Sequence, residues 1–131
     1  MGYKFGRRSK QALSNVDQQL VKLCEEVIQH IDFSVIEGHR SLERQKELFD
    51  EGNSNIDGVT EKGNHNYTPS RAVDVVPYKR GTNPFDGTER AELEYYRLNR
   101  EFQRASRKLG LAVTWGGTWN DPLDYPHYEL A

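Results

Sequence analysis

Between residues 88 and 109, apolar side chains return at helical steps: Ala91, Tyr95, Leu98, Phe102, Ala105 and Leu109. Gly110 follows where such a helix should end. A helix with one long apolar stripe gains most of its stability by packing, so a second layer must cover that stripe. A second periodic segment, residues 15–31, carries Val16, Leu20, Leu23, Val27 and Ile31 on one face, with Ser14 as its expected cap. Ser41 is expected to cap a third helix that runs to Asp50 and stops at Gly52. Four short strands complete the pattern: residues 33–37, 71–78, 111–115 and 127–130. Helices spaced between short strands predict an α+β domain, a small antiparallel sheet covered by helices.

The chain has 131 residues, enough for one domain with one core and little more. It is 35% hydrophobic and 29% charged, an ordinary globular balance. A net charge of −2 gives no basis for a polyanionic partner, so nucleic-acid binding is not expected. Lys4, Arg7, Arg8 and Lys10 cluster near the start, and residues 1–12 read as a flexible, solvated basic segment. Loose attraction to an anionic surface such as a cell envelope is the alternative. Cys24 is the single cysteine and falls in an apolar stripe, which predicts a buried thiol and no disulfide. No run is apolar enough for stable membrane insertion, and no signal-peptide core is visible at the start. Synthesis in a cytoplasm is therefore expected, and the chain is expected to be monomeric.

Residues 52–69 are rich in Gly, Asn, Asp and Thr and have no period, which predicts a long loop with a functional role. The strand after it contains Asp74 among Ala72, Val73, Val75 and Val76, so both faces around the carboxylate are apolar. A carboxylate in that position must be ion-paired, with Arg71 or Arg40 as candidates, or must bind a metal. His65 at the end of the loop and His127 at the start of the last strand supply two further donors. Two histidines and one carboxylate form a standard catalytic zinc set that leaves the fourth position open. Asp124, three residues before His127, can reach water there without ligating the metal and act as general base.

Three ordered blocks extend this reading: Glu37-Gly38-His39-Arg40-Ser41 with Glu43-Arg44-Gln45; His65 to Asp74; and Trp115-Gly116-Gly117 through Asp124-Tyr125-Pro126-His127-Tyr128-Glu129-Leu130. Together they resemble the zinc D-Ala-D-Ala carboxypeptidase and L-alanyl-D-glutamate endopeptidase family, and most of all its short phage endolysins, over residues 33–131. The resemblance implies a hedgehog/DD-peptidase-like fold and one zinc per chain on His65, Asp74 and His127. It implies Asp124 as the catalytic carboxylate and Arg40 as the residue that stabilises the transition state. Many relatives place six residues between the first His and the Asp, whereas this chain has eight. The implied substrate is the peptidoglycan stem peptide, cut at L-Ala-D-Glu, with D-Ala-D-Ala carboxypeptidase or a non-catalytic zinc module as the alternatives. The implied site of action is the cell wall, reached through a membrane pore. Around this set, Gln45 is expected to orient Arg40, His39 to form a pocket wall, and Trp119 and Tyr125 to line a peptide groove. Glu129 is the candidate to support His127, and Trp115 is a further candidate for the groove, with a place in the core as its alternative.

Overall fold

The computed structural model describes residues 2–54, 56–58, 63–120 and 123–131. Residues 55 and 59–62 of the long loop, and Asp121 and Pro122 at the start of the last block, lie outside the described residues. Four helices, α1 (Arg7–Leu13), α2 (Gln18–Ile28), α3 (Leu42–Asp50) and α4 (Glu89–Leu109), accompany four strands, β1 (Phe33–Glu37), β2 (Ala72–Pro77), β3 (Val113–Trp115) and β4 (His127–Leu130). The strands form one antiparallel sheet in the order β1-β2-β4-β3, which is the α+β architecture expected from the sequence.

The stripe that most constrained the fold behaves as its spacing requires. Thr88 caps α4 by accepting a hydrogen bond from the Ala91 amide, and Gly110 ends it with φ 69, a left-handed conformation suited to glycine. Leu98, Phe102 and Ala105 enter a core shared with Leu20, Leu23 and Val27 of α2 and Val35, Val73, Val75 and Tyr128 of the sheet. Phe102 stacks on Tyr128 with ring centroids 4.1 Å apart. Alternation in β2 sends Val73 and Val75 into this core and turns Asp74 to the opposite side of the sheet. Helices α2 and α4 therefore cover one face, and the other face carries Asp74 beside α3.

Two expectations need correction. Residues 2–12, the described part of the segment expected to be a flexible tail, are held in place: α1 packs on β1, Leu13 and Ser9 are buried, and the Ser9 hydroxyl accepts a hydrogen bond from the Val35 amide at 3.0 Å. Phe5 also meets Phe33 edge-on at 5.3 Å. The basic residues stay exposed, so their charge masked a face built on Phe5, Ser9 and Leu13 at steps of four. The second helix also begins later than the apolar spacing suggests. Ser14 closes α1, while Asp17 caps α2 by accepting from the Gln19 amide. Residues 15–17 are pulled out of helix because they bond to Ser70 just before β2, through Ser70 N to Asn15 O at 2.8 Å and Asp17 N to Ser70 O at 2.9 Å.

Gly38, just past β1, is where this N-terminal arm meets the sheet. A Cβ there would overlap the Ala12 carbonyl oxygen and the Val16 side chain. Overpacking of that kind typically destabilises by about 1–3 kcal/mol. Gly38→Ala should therefore lower the unfolding free energy by an amount in that range, read as a lower midpoint of chemical denaturation. An unchanged midpoint would mean that α1 is not held against Gly38.

Candidate metal centre

The sheet register assembles the centre. Asp74 on β2 stands directly opposite His127 on β4, and it faces Glu37 on β1 across an irregularity between Val35 and Glu37. Directly opposed residues on one sheet face have Cβ atoms about 4.5–5.5 Å apart, so this pairing alone brings Asp74 and His127 into contact range. His65 arrives from a short 3₁₀ turn, Asn64–Asn66. That turn is latched by Arg40 N to His65 O at 2.7 Å, Asn66 Nδ2 to Arg40 O at 2.9 Å, and Arg71 N to Asn64 O at 2.9 Å. The eight-residue spacer does return both side chains to one point: His65 Nε2 lies 3.2 Å from Asp74 Oδ1. His127 Nδ1 lies 3.2 Å from the same oxygen.

His65, Asp74 and His127 each offer one donor atom, and these atoms lie within 4.8 Å of one another. Donors held about 2.0–2.1 Å from a tetrahedral ion sit about 3.3 Å apart, close to the spacings between Asp74 and the two histidines. The surroundings suit ligation as well. His65 Nδ1 donates to the Gly38 carbonyl at 2.7 Å, which fixes the ring with Nε2 toward the centre. His127 Nε2 donates to Glu129 Oε1 at 2.7 Å, and Asn64 Nδ2 holds the other Glu129 oxygen at 2.7 Å. Two nitrogens and one carboxylate with an open side form the donor set of a catalytic rather than a closed structural metal site. These three residues can hold a metal ion.

Electrostatics bind the same groups together. Burial pushes the Asp74 carboxyl upward, but hydrogen bonds from His127 and His65 outweigh it and hold the group well below the usual carboxylate range. Burial would lower His127, yet its hydrogen bonds to Asp74 and Glu129 raise it to about 9. Asp124 behaves differently. Burial and then the Asp74 charge push its carboxyl above the ordinary value, against the pull of His127, His65 and Arg40. Its Oδ2 lies 4.0 Å from His127 Nδ1, and the side chain is 40% exposed to the cavity. Gly116 makes room for it, since the Asp124 amide bonds to the Gly116 carbonyl at 3.0 Å and a Cβ on Gly116 would overlap the Asp124 backbone.

Arg40 closes the other side. Its Nε and one terminal nitrogen hold both Glu37 oxygens at 2.7 and 2.8 Å, and the second terminal nitrogen holds Gln45 Oε1 at 2.9 Å. Asp74 Oδ2 lies 3.7 Å away. Gln45 is 1% exposed, and its amide nitrogen donates to Ser54 Oγ and Ile56 O, both at 2.7 Å. The glutamine therefore ties Arg40 to the long loop. Trp119 also lines the cavity, with its ring centroid 4.9 Å from that of His127.

Two expected pocket residues fall elsewhere. His39 points away from the cavity and meets Thr68 Oγ1 at 3.3 Å. Tyr125 stacks on Tyr95 at 5.6 Å and donates its hydroxyl to Glu92 at 2.8 Å, so it supports the wall from behind. Both follow from geometry that spacing does not show: neighbours of Arg40 and Asp124 in the chain point to the opposite side of the backbone. Trp115 is buried in the core and donates Nε1–H to the Tyr125 carbonyl, and Cys24 is a buried thiol raised to about 12 by burial. The sequence assigned no role to Glu37, which pairs with Arg40, or to Asn64, which holds Glu129. Glu37 carries a legible signal, a carboxylate three residues before an arginine at a strand end.

The family described as phage L-alanyl-D-glutamate peptidase matches residues 1–130. The L-alanyl-D-glutamate peptidase of Escherichia phage T5 is 26% identical over 132 residues, 99% of this chain and 90% of that protein. The peptidoglycan L-alanyl-D-glutamate endopeptidase CwlK of Bacillus subtilis is 29% identical over 76% of this chain and 61% of its own length. The crystal structure of Serratia marcescens L-Ala D-Glu endopeptidase ChiX superposes with a TM-score of 0.79 at 30% identity, covering 98% of this chain and 90% of that one. The vancomycin-resistance D,D-dipeptidase VanXYg shares the fold, with a TM-score of 0.50 at 16% identity over 86% of this chain and 47% of its own. The fold and the matching family are those of a peptidase. The chain belongs to the phage L-alanyl-D-glutamate peptidase family.

A ligating His127 must give up a proton that it otherwise keeps up to about pH 9. Metal affinity of the chelated protein should therefore rise as pH climbs from 6.5 to 9, and titration calorimetry should register proton release. The opposite sign applies to stability without metal: the His127 contribution is complete below its ordinary 6.5 and is lost as pH rises through about 9. A pH-independent affinity would exclude His127 as a ligand.

Proposed function

We propose that the chain is a zinc-dependent endolysin that hydrolyses the L-Ala-D-Glu bond of the peptidoglycan stem peptide. The observation that carries this reading is the convergence of His65, Asp74 and His127 on one point, with the Asp124 carboxylate 4.0 Å from His127. The three relatives named for that bond support the choice of substrate. Zinc held by the triad supplies Lewis acidity toward the scissile carbonyl and the attacking water.

The chain's own residues do the remaining work. Asp124, raised above an ordinary carboxyl and open to the cavity, accepts the proton of the attacking water and passes it to the leaving amine. Arg40 commits three of its N–H donors to Glu37 and Gln45. An arginine has five, so two remain to stabilise the oxyanion in a partly desolvated cavity. Glu37 and Gln45 hold the guanidinium still, and Trp119 forms a wall for the peptide beside His127. Among the described residues no helix is long and apolar enough to cross a membrane. We place the action of the enzyme at the cell wall, reached through a membrane pore, and read the active form as a monomer.

Asp124→Ala should keep about one zinc per chain while wall digestion falls about a hundred- to ten-thousand-fold, the usual contribution of a general base. Mass spectrometry of wild-type digests should find new N-terminal D-Glu. Release of free D-Ala instead would move the cut to the D-Ala-D-Ala bond, and undiminished lysis by the variant would remove Asp124 from the mechanism.

A further inference from the structure

A cavity of about 850 Å³ surrounds the metal centre, and carboxylates dominate its charge: Glu37, Asp74, Asp124 and Glu129 all line it. The substrate proposed above adds another. In the stem peptide D-glutamate continues the chain through its γ-carboxyl, so its α-carboxylate is free on the carbon that carries the scissile nitrogen. Glu37 is already paired with Arg40, and a metal ion on His65, Asp74 and His127 would offset Asp74, so the added anion meets chiefly Asp124 and Glu129, and a guanidinium in the same cavity would offset it.

Besides its histidines, the described lining of the cavity contains two cations, Arg40 and Arg44. Arg40 gives three donors to Glu37 and Gln45 and is close to Asp74, and its other two are assigned to the oxyanion. Arg44, in the first turn of α3, is placed differently. Its side chain is 51% exposed, and its ion pairs are Glu47 at 3.0 Å and Glu51 at 4.0 Å, both more than half exposed themselves. Surface pairs along one helix face contribute little and are readily exchanged. A guanidinium also presents a planar fork that matches a carboxylate with two parallel hydrogen bonds.

We propose that Arg44 is a specificity residue that binds the free α-carboxylate of the D-glutamyl residue beside the scissile bond. The assignment rests on the L-Ala-D-Glu reading of the substrate. It makes the enzyme selective for D-glutamate over D-isoglutamine, the form in which that carboxylate is amidated.

The test uses the zinc-loaded full chain and two synthetic peptides, N-acetyl-L-Ala-γ-D-Glu-L-Lys and its α-amide. The wild type should cleave the acid at least about tenfold more efficiently by kcat/KM, the usual scale for losing a hydrogen bond to a charged group. Arg44→Gln should collapse this preference as the rate on the acid falls toward that on the amide. Arg44→Lys, which keeps the charge and loses the fork, should fall between. Metal content should match the wild type in both variants. Equal wild-type rates on acid and amide, or a preference that survives in Arg44→Gln, would overturn the assignment and leave the bond reading intact. Failure of the wild type to cut either peptide while releasing D-Ala from a pentapeptide stem would overturn the bond reading, and the assignment with it.

Discussion

Asp74 and His127 face each other across adjacent antiparallel strands, and the candidate centre is organised around that pair. A carboxylate on a strand whose other residues are apolar is tolerable only when it is fully engaged, and here it is. His65, His127 and Arg40 all approach it, within 3.2 to 3.7 Å. Because side chains alternate along a strand, a slip of one residue in β2 or β4 would turn Asp74 or His127 into the core. The hydrophobic packing of Val73, Val75 and Tyr128 beneath the sheet therefore fixes the chemistry above it. Fold stability and site geometry are the same constraint viewed from two faces.

Around this pair, backbone groups do much of the positioning. The Gly38 carbonyl receives the Nδ1 proton of His65, the His65 carbonyl receives the Arg40 amide, and the Gly116 carbonyl receives the Asp124 amide. Such contacts set the angle of a side chain without adding a charged neighbour. Two of the three run through glycines where a Cβ would collide with other backbone. Close approach explains glycine at both positions, since neither has a positive φ. The carboxylates divide by environment. Asp74 is held ionised by two imidazoles, whereas Asp124 is pushed toward holding a proton by burial and by Asp74 itself. Separation of neighbouring carboxyls in this way is what acid–base chemistry near neutral pH requires.

Arg40 illustrates how far local reading extends. Its place after β1, and that of Gln45 one turn into α3, suggested that the two interact, and Arg40 donates to Gln45 Oε1 at 2.9 Å. The further link from Gln45 to Ser54 and Ile56 was not legible, because no period or motif marks which loop atoms a buried amide will reach. His39 and Tyr125 show the opposite failure. Each adjoins a residue of the centre in sequence, but both lie in turns or loops outside the strands, where adjacency does not fix direction, and neither lines the cavity. The basic N-terminal segment misled for a related reason: exposed charge on three sides concealed the buried side of α1.

The amino-acid sequence by itself determined the helical and strand segments, through the periods of 3.6 and 2 and through caps such as Ser41, Thr88 and Gly110. It also determined which residues were candidates for chemistry, because a carboxylate among valines and two histidines flanking it in order need an explanation wherever they occur. Only the tertiary structure decided the partners. The 3.2 Å approaches to Asp74, the pairing of Arg40 with Glu37, the support of His127 by Glu129 and Asn64, and the docking of α1 on β1 were all settled there. Local periods report which face of an element is apolar. Which groups meet across that face depends on sheet register and loop closure, and those are set jointly by residues as far apart in the chain as Asn64 and Glu129.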